Sequence, residues 1–381
     1  MQPDDGKTPV SLAKWRSFQE TMTQPSVWRS WAGPLTDHAE AISAWVRSRH
    51  HDEIWFCGAG TSAFIGETLD NHSISRPGGA RYRAAPTTDM GSCPLACIKP
   101  QVTVTVKVPE VSGGRSGNSS ETLGTLDLLD RHDPDADRLN ITGNAEGQMA
   151  TRKAAGPGGQ RLLLPQTNDQ ALAVTSSQTT MLLSAQAYLD DHPPMPATEA
   201  LSQMAASCGA VLSQSLDLAG KPGAKMPSRA VFLGSGALQG SANECALKVL
   251  DLAAGAISTS WDTNLGFRHG PKAVVEPRAG VHILISGDAH TRRYYLDAAN
   301  EFRAQFGPDT VLTLGPDGVR VDLYVPQIGN DAWSAVLYVV AAQILATIWP
   351  QMLGLDVENP VQSGSVRRVV DGVTIYPLEG E

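Results

Sequence analysis

The feature that most constrains this chain is a repeat. Ile54–Thr68 reads IWFCGAGTSAFIGET and Ala230–Glu244 reads AVFLGSGALQGSANE. Placed without gaps, Phe232 falls on Phe56, Gly234 on Gly58 and Gly236 on Gly60, an offset of 176 residues. Each copy is a short apolar strand, a glycine turn and the start of a helix. The same offset sets the strand His282–Asp288 beside the strand-like run Gln101–Val111, where Val102, Val104, Val106 and Val108 alternate with polar residues. Two matches in one register imply a duplicated unit. Further apolar runs near Leu139–Thr142 and Arg161–Pro165 alternate with helical patterns, at Pro25–Arg49, in TNDQALAVTSSQTTMLLSAQAYL and at Ala197–Ala219. Strands alternating with helices predict an α/β fold, two tandem domains each with a mostly parallel sheet. The expected boundaries are a loosely ordered segment 1–24, a first domain 25–205 and a second 206–381.

Ligands of such sheets bind at the carboxyl ends of the strands. In the first copy that position holds Ser112–Asp130, SGGRSGNSSETLGTLDLLD. A helix is predicted to begin near Ser119 or Ser120, because Leu123, Leu126 and Leu129 recur at helical spacing. A glycine-rich turn feeding a helix N-terminus presents free N–H groups to an anion, and hydroxyls add neutral donors. A surface loop with a local cap would have the same composition. The stretch contains no Walker A or dinucleotide fingerprint. A second hydroxyl-lined helix start follows the turn at Gly60, Thr61 and Ser62. The second copy has no S-G-N-S equivalent, so one half is expected to bind phosphate while the other does different work.

That work is expected in Ala242–Lys272. Glu244, Lys248 and Asp251 lie at i, i+4 and i+7 and share one helix face. A solvated face with a Glu–Lys pair reads the same way. Downstream, NLGFRHGPKAVV places Arg268, His269 and Lys272 in a glycine- and proline-constrained loop, where a histidine could serve as an acid or base. The net charge of −9 argues against nucleic acid or an anionic membrane as partner. No signal-peptide pattern or run of 18 apolar residues stands out, which makes the cytoplasm the expected location. Five scattered cysteines form no disulfide framework and no metal-ligand spacing, so no metal or other cofactor is expected.

Together FCGAGTS, GRSGNSSET, NDQALAVTSSQTT, ALKVLDLAAG, LGFRHGPK and GSVRRVVDGVTIYPL resemble the sugar isomerase (SIS) domain superfamily, with its flavodoxin-like domains. More closely they are similar to the tagatose-6-phosphate ketose/aldose isomerase and galactosamine-6-phosphate deaminase family. The resemblance implies that Ser116 and Ser119, with the backbone of Arg115, Gly117 and Asn118, hold a sugar phosphate. It implies that Gly60, Thr61, Ser62, Ser176 and Ser177 line the sugar. Asp251 falls where glucosamine-6-phosphate synthase has a catalytic glutamate, one methylene longer, and Glu244 is the alternative base. His269 falls on the histidine associated with ring opening, and Lys248 is implied to neutralise nearby charge. The last lysine is Lys272, so no Schiff-base lysine is expected from the tail, and glutamine-dependent amination is not the expected activity. The expected activity is deamination and isomerisation of galactosamine 6-phosphate by a homodimer. The alternatives are a hexose-6-phosphate ketose/aldose isomerase and a non-catalytic sugar-phosphate-binding module.

Overall fold

A computed structural model of the chain describes residues 12–49, 53–74, 80–94, 104–107, 117–132, 137–152, 159–162, 165–190, 193–220, 226–364, 370 and 372–376. The chain divides into two compact units, Gly33–Pro193 with Val366–Glu381 and Met1–Ala32 with Pro194–Ser365.

The first unit is built on β1 (Glu53–Gly58), β2 (Arg81–Pro86), β3 (Val104–Lys107), β4 (Asp137–Thr142) and β5 (Gly159–Leu162), in the order β2-β1-β3-β4-β5. The second has β6 (Arg229–Leu233), β7 (Ser258–Asp262), β8 (Ala279–Leu284), β9 (Val311–Gly315) and β10 (Leu323–Tyr324), in the order β7-β6-β8-β9-β10. These are the same topology, and every strand pair is parallel. A parallel sheet is covered on both faces, which is why β1 and β6 are near-continuous apolar runs rather than alternating ones. The duplication read from the two glycine turns therefore extends through the whole of both sheets.

The turn glycines carry the same constraint in each copy. A Cβ on Gly58 would stand 2.5 Å from the Ser62 Cβ, and one on Gly234 would stand 2.3 Å from the Leu238 carbonyl oxygen. Gly60 and Gly236 take φ of +53° and +59°, in the left-handed region that glycine enters without penalty. The chain can then pass directly from the strand end into the helices Thr61–Ile74 and Leu238–Leu252.

Two expectations are corrected here. Residues 16–24, expected to be loosely ordered, belong to a helix that runs Arg16–Arg49. Its polar composition is offset by docking: Gln24 donates to Gln343 at 2.8 Å, and the Ser17 N–H donates to Glu358 at 2.9 Å. The helix Asp331–Met352 is also long and apolar enough to cross a bilayer, a run that the sequence reading passed over. All of its apolar window is buried inside the unit, packed on the helices Leu238–Leu252 and Ala197–Ala219, so its composition is that of a core helix. The tail returns to the first unit. Val370 accepts the Ser120 N–H at 3.3 Å, and Ile375 fills the space beside Gly124.

His282 occupies the central strand β8, fully enclosed, stacked on Phe232 at 4.7 Å and near Trp349 at 5.5 Å. Burial lowers its pKa to about 4, against a backbone hydrogen bond to Val231 that favours the charged form. The folded pKa lies below the unfolded one. The contribution is therefore present in full above pH ~6.5 and is lost as pH falls towards 4, by about 3 kcal/mol in total. Urea unfolding at neutral pH and near pH 4.5 should give a smaller drop for His282→Phe than for the wild type. Equal drops would remove His282 from the acid response.

Candidate functional site

In the first unit the hydroxyl-rich loop reaches its helix at Ser120, where the apolar periodicity put it. Gly117 is left-handed at φ +58°, and a Cβ there would meet Met149 at 2.7 Å, so the turn is built on glycine. The Asn118 Oδ1 accepts the Gln148 N–H at 2.8 Å, and Gly117 accepts the Met149 N–H at 3.2 Å. These two bonds tie the loop end to the carboxyl side of β4. Ser119 is buried, accepts the Thr122 N–H at 3.3 Å and donates to the Thr122 hydroxyl at 2.7 Å. It is the helix cap. Arg115 and Ser116 lie outside the described residues.

Thr61 and Ser62 are buried at the start of their helix, where the Ser62 N–H donates to Ala59 and the Ala63 N–H to Gly60. Ser176 and Ser177 are buried as well, and their partner is a residue that the sequence reading did not single out. Both hydroxyls donate to Asp169, which also accepts the N–H groups of Thr175 and Ser177, each at 2.9 Å. The helix expected across the whole of TNDQALAVTSSQ therefore begins only at Ser176, because Asp169 binds the groups that an earlier start would need. Its one sequence signal is an acidic residue just ahead of a serine-rich helix start.

The second copy answers the same topological position with its own carboxylates. After β8, Asp331 accepts the Ser286 hydroxyl and the Gly287 N–H, the latter at 2.7 Å. Asp288 caps the helix Ala289–Phe306 by accepting the Thr291 N–H at 2.8 Å, and these hydrogen bonds hold its carboxyl below the ordinary range. These donors of the second copy are matched to internal carboxylates.

On the helix Leu238–Leu252 the solvated reading fails. Glu244 and Lys248 are both buried, with Nζ to Oε1 at 3.5 Å. Asp251, half-buried one turn on, has its pKa raised by burial and partly pulled back by Lys248. A carboxyl held towards neutrality beside a cation suits a group that takes and returns a proton.

The histidine loop is fixed from inside. Phe267 is buried edge-on to Phe302 at 5.5 Å, within a core cluster with Val231, Ile283 and Tyr295. On either side of His269, Arg268 pairs with Asp297 and Glu301 at 2.8 Å, and Lys272 pairs with Glu301 at 3.2 Å. Two short 3-10 turns, Gly266–His269 and Pro271–Val274, flank Gly270 at φ +135°. His269 is left exposed at the rim of this anchored loop.

Known proteins match the chain over nearly its full length. No protein-family model matches the chain. D-galactosamine-6-phosphate deaminase AgaS of Escherichia coli is 34% identical over 98% of this chain and 98% of its own. The protein of the same name from Shewanella sp. strain ANA-3 is 32% identical over 94% and 91%. Among solved structures, tagatose-6-phosphate ketose/aldose isomerase from Escherichia coli superposes with a TM-score of 0.83 at 28% identity, over 99% of both chains. A doubled parallel sheet, a glycine turn ahead of a serine-capped helix in one half and a buried Glu–Lys pair beside Asp251 in the other accompany identity above 30% over more than nine-tenths of the chain, and the chain belongs to the D-galactosamine-6-phosphate deaminase AgaS family of the sugar isomerase superfamily.

Proposed function

We propose that this enzyme converts galactosamine 6-phosphate and water to tagatose 6-phosphate and ammonia. The observation that carries the reading is Asp251, a carboxyl raised towards neutrality by burial on the same helix face as the enclosed Glu244 and Lys248. In the open-chain sugar, Asp251 takes the proton from C2 and returns it to C1. The electron pair moves through the carbon framework, O1 gains a proton, and the amine nitrogen gives one up to leave an imine at C2. Water adds there, the C–N bond breaks and ammonia departs, while donors around the site hold the oxyanion character that develops. Lys248 offsets the charge on the neighbouring carboxylates. His269 assists ring opening, and Glu244 is the alternative base. The phosphate is held by Ser116, Ser119 and the backbone of Arg115, Gly117 and Asn118. The sugar is lined by Gly60, Thr61, Ser62, Ser176 and Ser177. The reading includes no metal or cofactor, a cytoplasmic location and a homodimer.

Purified protein incubated with galactosamine 6-phosphate should release ammonia in step with ketose formation. Ketose from an unaminated hexose phosphate with no ammonia from the amino sugar would make it a simple isomerase. Tight sugar-phosphate binding with neither product would make it a binding module.

A further inference from the structure

Asp169 has no part in the proton transfer, yet four donors converge on it. Oδ2 accepts the N–H groups of Thr175 and Ser177, each at 2.9 Å, together with the Ser177 hydroxyl. Oδ1 accepts the Ser176 hydroxyl. The helix Ser176–Leu189 is thus capped from 7 residues upstream, and the adjoining Thr175 side chain makes no cap bond. Backbone N–H groups can only donate, so Oδ2 is fixed as an acceptor, and the helix dipole favours an anion there. Burial opposes this and raises the carboxyl's pKa, while the four hydrogen bonds pull it back.

We infer that Asp169 is a specificity-determining positioning residue: by taking the hydroxyl hydrogens of Ser176 and Ser177, it leaves both serines to act as acceptors for the hydroxyl and ammonium donors of an amino sugar. The inference rests on the amino-sugar-phosphate reading above. A serine hydroxyl has one hydrogen and two lone pairs, and once the hydrogen is given only lone pairs remain to face a ligand. Donation to a carboxylate polarises the oxygen and strengthens it as an acceptor. Such a pair suits donor-bearing carbons and suits a phosphate poorly, which fits a protein whose other serine-rich helix start, at Ser119, has no described carboxylate at its cap.

Asp169→Asn tests this without a change of shape. The two N–H groups hold the amide oxygen at the Oδ2 place. The amide NH2 then donates to Ser176, whose own hydrogen must swing away. Ser177→Ala removes one acceptor and keeps the carboxylate. The probes are 2-amino-2-deoxygalactitol 6-phosphate, a reduced sugar that cannot isomerise, and inorganic phosphate, with Kd read by calorimetry. Each variant should bind the aminopolyol about tenfold more weakly, as for one lost hydrogen bond to a polarised acceptor, with phosphate affinity unchanged. Equal weakening for both probes, or wild-type aminopolyol binding by Asp169→Asn, would reduce Asp169 to a helix cap and overturn the inference. Should Asp169→Asn not fold, Ser176→Ala keeps the carboxylate's other three bonds and carries the same comparison. Ammonia release by the wild type reads the deaminase assignment separately, so a missing ligand split with turnover intact counts against Asp169 alone.

Discussion

Asp251→Asn should lower kcat by roughly 10²–10⁴-fold with KM close to the wild-type value, the loss expected when a positioned base is removed. The amide keeps the shape and the neighbours but cannot take a proton. The pH profile supplies a second readout. A base acts in its ionised form, so activity falls as pH drops through its pKa. Burial raises that pKa above the ordinary aspartate value, with Lys248 pulling the other way. The acid limb of kcat/KM should therefore lie above the ordinary aspartate range, and Lys248→Met, by removing the opposing charge, should move it higher still. If Asp251→Asn keeps more than about a tenth of kcat, the proton transfer belongs to another carboxylate, and Glu244 is next on the same face.

Much of this architecture was legible because the signals were local. The G-x-G turns at Gly58–Gly60 and Gly234–Gly236 have a steric reason that acts within five residues, and the helix Ala197–Ala219 runs between the limits its periodicity gave. What escaped the sequence depends on partners far along the chain or on depth. Asp169 delays the helix start at Ser176 through side-chain hydrogen bonds, which no propensity registers. Residues 16–24 have a polar composition, and their helix is received by Gln343 and Glu358, more than 300 residues along the chain. The Glu244–Lys248 spacing is that of an ordinary exposed pair, and only the packed helices around it reveal its burial.

That burial gives the second large effect. Lys248→Met should destabilise its unit by about 3–5 kcal/mol, because it removes the paired cation from a buried carboxylate. Glu244→Gln should cost less, since a neutral amide can share hydrogen bonds that a lone ammonium cannot replace. The double variant Glu244→Gln/Lys248→Met, which replaces both charges at similar volume, should recover most of the loss, leaving a coupling energy of a few kcal/mol in the double-mutant cycle. Urea unfolding followed by tryptophan fluorescence reads it. A double variant as unstable as Lys248→Met alone would mean that packing, not charge, sets the cost. If the double variant folds well and yet releases no ammonia, the pair is retained for chemistry. An uncharged helix face of the same shape would then serve the fold as well, and Lys248, which opposes the effect of burial on Asp251 one turn away, would be the charge kept for it.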